Sequence, residues 1–289
     1  MAAVDTSLPT QPTAAAAKLA AAHSADHPLK LYGGWFCPFV QRAWIVLAEK
    51  NIPYQYVEIN PYHKAPEFLA LNPRGLVPTL AVPAADGQGQ AGKHHKPLYE
   101  SSVVCEYLDE AYAGPEHGEA LLPRGDGLGD VYERARCRLW MDHVSSRVVP
   151  AFYRLLQHTP EKEEGIEVAR RGLHGALKAF AGEMDEGGPW FLGARFSLVD
   201  VMLAPWAKRL FLIDHYKQGG VGIPKKGQRG EDEEVWNRWD RWFEAIVERQ
   251  SVKDTWSDEE QYIAAYKRYA DDTTQSEVGA ATRKGTRLP

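Results

Sequence analysis

The sequence predicts two domains, an α/β domain followed by an all-helical one, and three observations support this. In residues 28–112, short apolar runs typical of strands alternate with apolar residues at helical spacing,. After residue 127, nearly every segment has apolar residues three and four positions apart, as amphipathic helices do,. The chain has 289 residues, 44% of them hydrophobic, which is enough to fill two ordinary cores,.

The first pattern predicts four strands and three helices. The segment LKLYG has the composition of a strand, and a helix should begin after it at Cys37, with Pro38 in the first turn,. The order continues with a strand in YQYVEI, a short helix in APEFLALN, strands in TLAVP and KPLYE, and a helix in SSVVCEYLDEAY,. A polar, Gly-rich loop at residues 84–96 separates the last two strands,. The predicted order is therefore βαβ, α, ββα.

Segments of different composition join and flank the two domains. Residues 113–127 are rich in Gly and Pro and are the expected linker, and residues 128–270 form the helical domain,. Residues 1–27 hold an Ala-rich run, AAAAKLAAA; we expect a flexible extension, with a short helix as the alternative. Residues 271–289 have few large apolar side chains, so we expect a flexible tail,.

Charge and cysteine content exclude several classes of protein. The formal charge is -5 with both signs mixed along the chain, which argues against nucleic-acid binding,. No apolar run approaches the roughly 20 residues needed to cross a bilayer. The three cysteines are an odd set without zinc-like spacing, and no signal peptide precedes them,. We therefore expect a soluble, cytoplasmic protein with reduced thiols and no bound metal.

The motif Cys-Pro-Phe-Val at residues 37–40 raises the central question about function. It has the spacing of a dithiol redox motif, but Val40 stands where the second cysteine would be. A thiol at a helix N-terminus meets unpaired N–H groups and the positive end of the helix dipole, and both favour the thiolate. With no partner at position 40, an external thiol must resolve any mixed disulfide that Cys37 forms. The alternative is that Cys37 is a small buried residue without chemistry.

These motifs, taken in order, resemble a known family. Cys-Pro-Phe-Val, NPRGLVPTL, YESSVV and, in the helical half, FSLVD are similar to the cytosolic glutathione transferases, and most similar to their omega-type, cysteine-containing members. The resemblance covers residues 28–270. It implies a thioredoxin-like domain with a mixed four-stranded sheet that binds glutathione as cosubstrate, and a helical domain that supplies the second-substrate pocket. Dimers are frequent in this family, so a homodimer is one possible assembly, and the sequence leaves the oligomeric state open.

The resemblance assigns glutathione-binding roles to two pairs of residues. It implies a cis bond between Val77 and Pro78 that leaves the Val77 backbone free to pair with the cysteinyl unit of glutathione; sequence alone predicts only a turn. Ser101 would bind the γ-glutamyl carboxylate at a helix N-terminus, and Glu100 would balance the α-ammonium group. The simpler alternative makes Ser101 a helix cap, a role compatible with binding, and Glu100 a first-turn acid.

Other candidate residues have weaker support. The resemblance adds Phe39 to the glutathione site and places Lys64 at the glycine end of glutathione. Ala65 shifts the register of this lysine, however, so a solvated surface lysine is the alternative,. The candidates for the second-substrate pocket lie on the first long helix of the second half: Trp140, His143 and Phe152.

Together these residues predict a glutathione-dependent thiol transferase and reductase. The Cys37 thiolate would attack a small disulfide or electrophilic substrate that carries glutathione, and a second glutathione would resolve the mixed disulfide. Thiol–disulfide exchange, dehydroascorbate reduction and removal of glutathione from modified thiols are the activities that the resemblance implies. Two alternatives stay open: a conventional glutathione-conjugating transferase, and a non-catalytic glutathione-binding protein of the same fold.

Overall fold

The protein is seen in a computed structural model, which describes residues 8–85 and 91–288 and, within these, all side chains except those of residues 85 and 91–94. The chain divides into two units. The first comprises the described residues up to Ala120 together with Gln250–Gln261, and the second comprises the remainder. The first unit is therefore completed by a segment from near the C-terminus.

A mixed four-stranded sheet forms the first unit, as the sequence analysis predicts. Its strands are β1 (Lys30–Gly33), β2 (Gln55–Glu58), β3 (Thr79–Ala85) and β4 (Ala91–Tyr99). The order across the sheet is β2-β1-β3-β4. β1 and β2 are parallel, with Leu31 opposite Tyr56, and the other two pairs are antiparallel. The loop predicted at residues 84–96 is wrong at both ends, because residues 84–85 belong to β3 and residues 91–96 belong to β4, and these two strands pair with each other. Residues 86–90 lie outside the described residues.

The helices of the first unit complete the predicted order βαβ, α, ββα. They are α1 (Ala14–Ala22), α2 (Pro38–Glu49), α3 (Pro66–Leu71), α4 (Ser101–Ala111) and α11 (Gln250–Asp254), with a 3-10 turn at Pro115–His117. Lys50, which follows α2, forms an ion pair of 3.0 Å with Asp109 of α4, and both side chains are 1% exposed. Removing either charge would leave the other buried without its counter-ion, so this pair holds α2 against α4.

The segment before β1 contacts distant parts of the first unit. The Ala16 N–H donates to the Trp256 carbonyl at 3.1 Å, and the Tyr56 N–H donates to the His23 carbonyl at 2.8 Å. The sequence predicts a flexible extension over residues 1–27 with a helix as the alternative, and the structure contains the helix, α1. A helix of this length is marginal by itself, so contacts with distant residues supply what the local sequence lacks.

The second unit is all-helical, as predicted. Its helices are α5 (Leu128–His143), α6 (Val149–Leu156), α7 (Ile166–Gly182), α8 (Leu198–Lys208), α9 (Leu210–Tyr216), α10 (Glu233–Glu248), α12 (Glu259–Ala270, whose first turn belongs to the first unit) and α13 (Glu277–Lys284). A π-helical stretch, Val144–Val148, joins α5 to α6. Aromatic rings fill much of the core. Among the described residues, no helix is long and apolar enough to cross a membrane.

A buried carboxylate joins three parts of the second unit. Asp200 Oδ2 accepts a hydrogen bond from the Ser197 N–H at 2.9 Å, which forms a capping box at the start of α8. Oδ1 accepts from the Phe191 N–H and from Trp242 Nε1–H, both at 2.8 Å. Burial raises the pKa of this carboxyl, against the effect of its hydrogen bonds. Asp200 therefore has a structural role, since its oxygens are occupied by protein donors.

The residues after α12 also fold in the structure. The Ser276 hydroxyl caps α13 by accepting from the Gly279 N–H at 3.0 Å. Asp272 forms ion pairs with Lys162 at 3.1 Å and with Arg283 at 3.2 Å. The sequence predicts a flexible tail because this stretch has few large apolar residues, whereas the structure connects it to the second unit through polar contacts.

Candidate active site

Cys37 lies where the chain leaves the sheet and enters α2. Residues 34–36 form the turn after β1, and the Cys37 N–H donates to the Gly34 carbonyl at 2.9 Å. Cys37 is the N-cap residue of α2, and its carbonyl accepts from the Gln41 N–H at 3.1 Å. Pro38 occupies the first helical position, where the missing N–H costs nothing,. The thiol is partly exposed at the positive end of the helix dipole,.

The other two cysteines are buried. Cys105 in α4 and Cys137 in α5 are both 0% exposed. Burial raises the pKa of Cys105 to about 12 and that of Cys137 to about 11. Arg42 and Arg136 oppose these two shifts without cancelling them. Both thiols therefore stay protonated near neutral pH, and the thiolate is the form that acts as a nucleophile.

Val40, which replaces the second cysteine of a dithiol motif, belongs to the core. Its side chain is 0% exposed and lies against Gly33, where a Cβ atom would come within 2.4 Å of Val40 Cγ1. Only glycine at position 33 permits this close approach of α2 to β1. Val40, the fourth residue of the motif, therefore packs α2 against β1.

The loop before β3 presents an open backbone edge. The Val77–Pro78 peptide bond is cis, as the resemblance implies. Asn72 donates from Nδ2 to the Leu76 carbonyl at 3.2 Å and to Thr79 Oγ1 at 2.9 Å, which holds the loop on both sides of Val77. Within the described residues, the backbone N–H and carbonyl of Val77 have no hydrogen-bond partner. An extended peptide can pair with such an edge.

Glu100 and Ser101 lie between β4 and α4. Glu100 is the N-cap residue, with φ of 69°, a region that residues other than glycine rarely adopt,. Its carboxylate forms an ion pair of 3.0 Å with Arg74, and both side chains are about half exposed. The Ser101 hydroxyl accepts from Arg42 Nη1 at 3.0 Å. The capping role expected for Ser101 is therefore wrong, because Glu100 occupies the cap position and the hydroxyl binds a guanidinium instead.

Lys64 lies beside the loop before β3, and Phe39 lies beside Arg42. Lys64 lies just before α3, and its Nζ is beside Gly75, 3.1 Å from where a Cβ atom would be. The lysine is therefore next to the loop that leads to Val77. Phe39 is in the first turn of α2, and the Arg42 guanidinium lies 5.4 Å from the centre of its ring. Their roles in binding glutathione stay predictions.

Sequence reasoning missed two charged residues of this region, one buried and one partly buried. Arg42 in α2 is 1% exposed and donates to Ser101. Glu58, at the end of β2, accepts from the Trp35 N–H at 3.1 Å and from the Tyr56 hydroxyl at 2.8 Å. Burial raises the pKa of Glu58 to about 7, although both hydrogen bonds favour the ionised form. A charged residue within an apolar pattern, as in YQYVEI and RAWIVL, is the signal that indicates such sites,.

The candidates for the second-substrate pocket pack within the second unit. Phe152 is 1% exposed. His143 Nε2 lies 3.0 Å from the Ala176 carbonyl, and the Trp140 ring lies 4.8 Å from the His143 ring and 5.9 Å from the Phe191 ring. Protein contacts therefore engage all three side chains, and their role in substrate binding stays a prediction. The described residues contain no cluster of His, Cys, Asp and Glu that could hold a metal ion.

Comparison with known proteins relates both halves of the chain to one family. The family model for the glutathione S-transferase N-terminal domain matches residues 36–111, and that for the C-terminal domain matches residues 130–245. Glutathione S-transferase omega-1 of Sus scrofa is 34% identical over 187 residues, which is 64% of this chain and 68% of that protein. The protein of the same name from Mus musculus is 33% identical over 186 residues, again 64% and 68%.

Solved structures show the same relationship. Glutathione transferase Omega 3C from Trametes versicolor matches with a TM-score of 0.74 and 38% identity, and the match covers 92% of this chain and 100% of that one. Rice GST1 in complex with glutathione matches with a TM-score of 0.66 and 26% identity, over 83% and 96% of the two chains. The chain, with its cysteine at the start of α2, therefore belongs to the glutathione S-transferase family and is an omega-like member of it.

Proposed function

We propose that the protein is a glutathione-dependent thiol transferase that works through a mixed disulfide at Cys37. The observation that carries this proposal is the partly exposed thiol at the N-terminus of α2, in contrast to the buried Cys105 and Cys137. In the first step, the Cys37 thiolate attacks a glutathionyl sulfur, the disulfide bond breaks, and the leaving thiolate takes up a proton. In the second, the thiolate of glutathione attacks the mixed disulfide, which releases oxidised glutathione and restores the Cys37 thiolate.

The residues around the thiol are complementary to glutathione. The open backbone of Val77 suits the cysteinyl unit of an extended peptide. The γ-glutamyl carboxylate would bind at Ser101, where the N-terminus of α4 and the Arg42 guanidinium both favour an anion,. Glu100 would balance the α-ammonium group, and Lys64 would bind the glycine carboxylate. The rice relative, whose structure contains glutathione, supports this choice of ligand.

Several reactions share the second of these steps. Reduction of dehydroascorbate and removal of glutathione from modified thiols both end with attack of glutathione on a mixed disulfide at Cys37. A conjugating transferase would instead activate the thiol of glutathione itself. An assay with a glutathionylated peptide, run beside one with a chloronitrobenzene electrophile, separates these activities. Binding to immobilised glutathione with neither activity would identify a non-catalytic glutathione-binding protein.

We also propose that two copies of the chain associate through α5. Leu128, Tyr132 and Leu139 are 90%, 66% and 62% exposed. Spacings of four and seven residues place their side chains on one face of the helix. Large apolar side chains grouped on a surface are typical of an interface. A second copy offers the same surface, as a two-fold dimer requires.

The first prediction concerns the three thiols. Brief treatment with iodoacetamide should label Cys37 well before the other two at pH values below about 8, because the helix terminus favours its thiolate. Cys105 and Cys137 should stay unlabelled, since burial raises their pKa values to about 12 and 11. Mass mapping of the labelled peptides gives the order. Earlier labelling of either buried thiol would contradict the assignment of Cys37.

The second prediction concerns the mixed disulfide. Oxidised glutathione should leave one glutathione on Cys37, and reduced glutathione should remove it. Cys37→Ser should form no adduct and lose thiol transfer almost entirely, because a neutral hydroxyl is a far poorer nucleophile. Cys137→Ala, the control, should keep both properties. Intact-protein mass spectrometry and the glutathionylated-peptide assay measure these outcomes, and full thiol transfer by Cys37→Ser would disprove the mechanism.

The third prediction concerns glutathione affinity. Glu100→Ala and Ser101→Ala should each weaken binding about ten- to a hundredfold, because each removes a contact with a charged end of the ligand, worth roughly 1.5–3 kcal/mol. Glu110→Ala, at the exposed C-terminal end of the same helix α4, should bind as the wild type does. Calorimetric titration measures all three. Wild-type affinity in both site variants would place glutathione elsewhere.

The fourth prediction concerns the oligomer. Tyr132→Asp and Leu139→Asp should each convert the dimer to a monomer, because a carboxylate on that face opposes burial of its apolar neighbours. Val168→Asp, on α7 and 45% exposed, is a matched control that should leave the dimer intact. Light scattering after size-exclusion chromatography gives the mass. A wild-type monomer, or a dimer in both α5 variants, would contradict the proposal.

A further inference from the structure

Glu58 is held beside the turn that leads to Cys37. It is the last residue of β2 and lies opposite Gly33, the last residue of β1, in the parallel strand pair. The next residue, Ile59, donates from its N–H to the Gly33 carbonyl at 2.7 Å. The sheet itself therefore brings the Glu58 side chain to this turn.

Both carboxylate oxygens of Glu58 accept hydrogen bonds here. Oε1 accepts from the backbone N–H of Trp35 at 3.1 Å, and Oε2 accepts from the Tyr56 hydroxyl at 2.8 Å. Trp35 is two residues before Cys37, so the carboxyl holds the backbone of the turn. Within the described part of the chain, no lysine, arginine or histidine pairs with Glu58. Its charge is therefore balanced by neutral donors only.

This region accommodates negative charge poorly. Burial raises the pKa of Glu58 to about 7. Burial also raises the pKa of Tyr56 well above its usual value, and the charges of Glu58, Tyr54 and Cys37 add to that effect. Tyr56 therefore stays a neutral donor, near enough to Cys37 for the charge of a thiolate to act on it. The titratable groups linked to Glu58 are Tyr56 of β2, which donates to it, and, through their charges on Tyr56, Tyr54 just before β2 and the Cys37 thiol at the N-cap of α2. β1 and the N-terminal segment contribute backbone groups.

We propose that Glu58 is a positioning residue that holds the turn before Cys37 and shares a single negative charge with the Cys37 thiolate. Two anions in one partly buried region repel each other, so ionisation of either group disfavours ionisation of the other. This proposal rests on the proposed function for its place in the reaction, because the coupling acts on the thiolate that attacks the substrate.

The coupling gives the Glu58 proton a role in both steps. When the Cys37 thiolate becomes a neutral mixed disulfide, the protonated fraction of Glu58 falls, and the proton released offsets part of the proton taken up by the leaving thiolate. When the thiol of glutathione loses its proton and attacks the mixed disulfide, the protonated fraction of Glu58 rises as the Cys37 thiolate returns. Each step therefore changes the net charge of the pair by less than one.

The test compares the pH dependence of Cys37 alkylation by iodoacetamide in the wild type and in Glu58→Gln. Glutamine keeps an oxygen acceptor for the Trp35 N–H but cannot ionise. We expect the wild-type rate to rise in two steps with pH and the variant rate to rise in one. At pH 7 the variant should react about two- to tenfold faster, for a coupling of about one pH unit. Glu116→Gln, an exposed glutamate of the same unit, should keep the wild-type profile.

A second measurement leaves Glu58 in place and so does not depend on the folding of Glu58→Gln. Carbon-13 NMR of the glutamate carboxyl groups follows the titration of Glu58 in the wild type and in Cys37→Ser, which lacks the thiolate. Because coupling is reciprocal, Glu58 should titrate at lower pH in Cys37→Ser. An unchanged Glu58 midpoint, or identical alkylation profiles in the wild type and Glu58→Gln, would overturn the proposal. Neither measurement uses glutathione. If the two titrations are coupled but the protein forms no adduct with oxidised glutathione, the coupling is supported and only the proposed function is contradicted.

Discussion

The close packing of α2 against β1 is the contact on which the candidate site depends. Gly33 has no side chain, and Val40 occupies the space that a Cβ atom there would need. The helix can therefore start directly after the turn, with its N-terminal N–H groups at Cys37. The same contact makes position 40 a core position. A cysteine at position 40 would therefore be buried, out of reach of a substrate. In the proposed mechanism, the thiol that resolves the mixed disulfide comes from glutathione.

Hydrogen bonds made by side chains that are buried or partly buried hold the loops that surround this thiol. Each of these side chains connects two segments, and a buried polar group that lost its partner would cost about 1–3 kcal/mol. The geometry of the site therefore depends on the interior of the first unit more than on surface contacts. Three such connections are present: Asn72 to Thr79, Arg42 to Ser101, and Glu58 to the Trp35 amide.

Segments from both ends of the chain complete the first unit. Trp35 Nε1 donates to the Pro9 carbonyl at 3.0 Å, and Gln41 Nε2 donates to Thr255 Oγ1 at 3.1 Å. These contacts reach the turn before Cys37 and the first turns of α2. A fragment that ended with the helix after β4 would keep the motif and the contact with Pro9 but would lose the contact with Thr255, so the support of the candidate site includes a segment near the C-terminus.

Much of the fold and the position of Cys37 were determined by the sequence itself, because they depend on local signals. Apolar periodicity gave the order of the elements, the fixed φ of Pro38 marked the start of α2, and the order of the motifs indicated the family. The contacts of Glu58 and Ser101 were decided only by the tertiary structure. The hydroxyl of Ser101 accepts a hydrogen bond from a guanidinium on another helix. The pKa of Glu58 is raised by partial burial next to the turn that follows β1. Such properties depend on which residues distant in sequence become neighbours, and on how much water folding removes, so no local pattern encodes them.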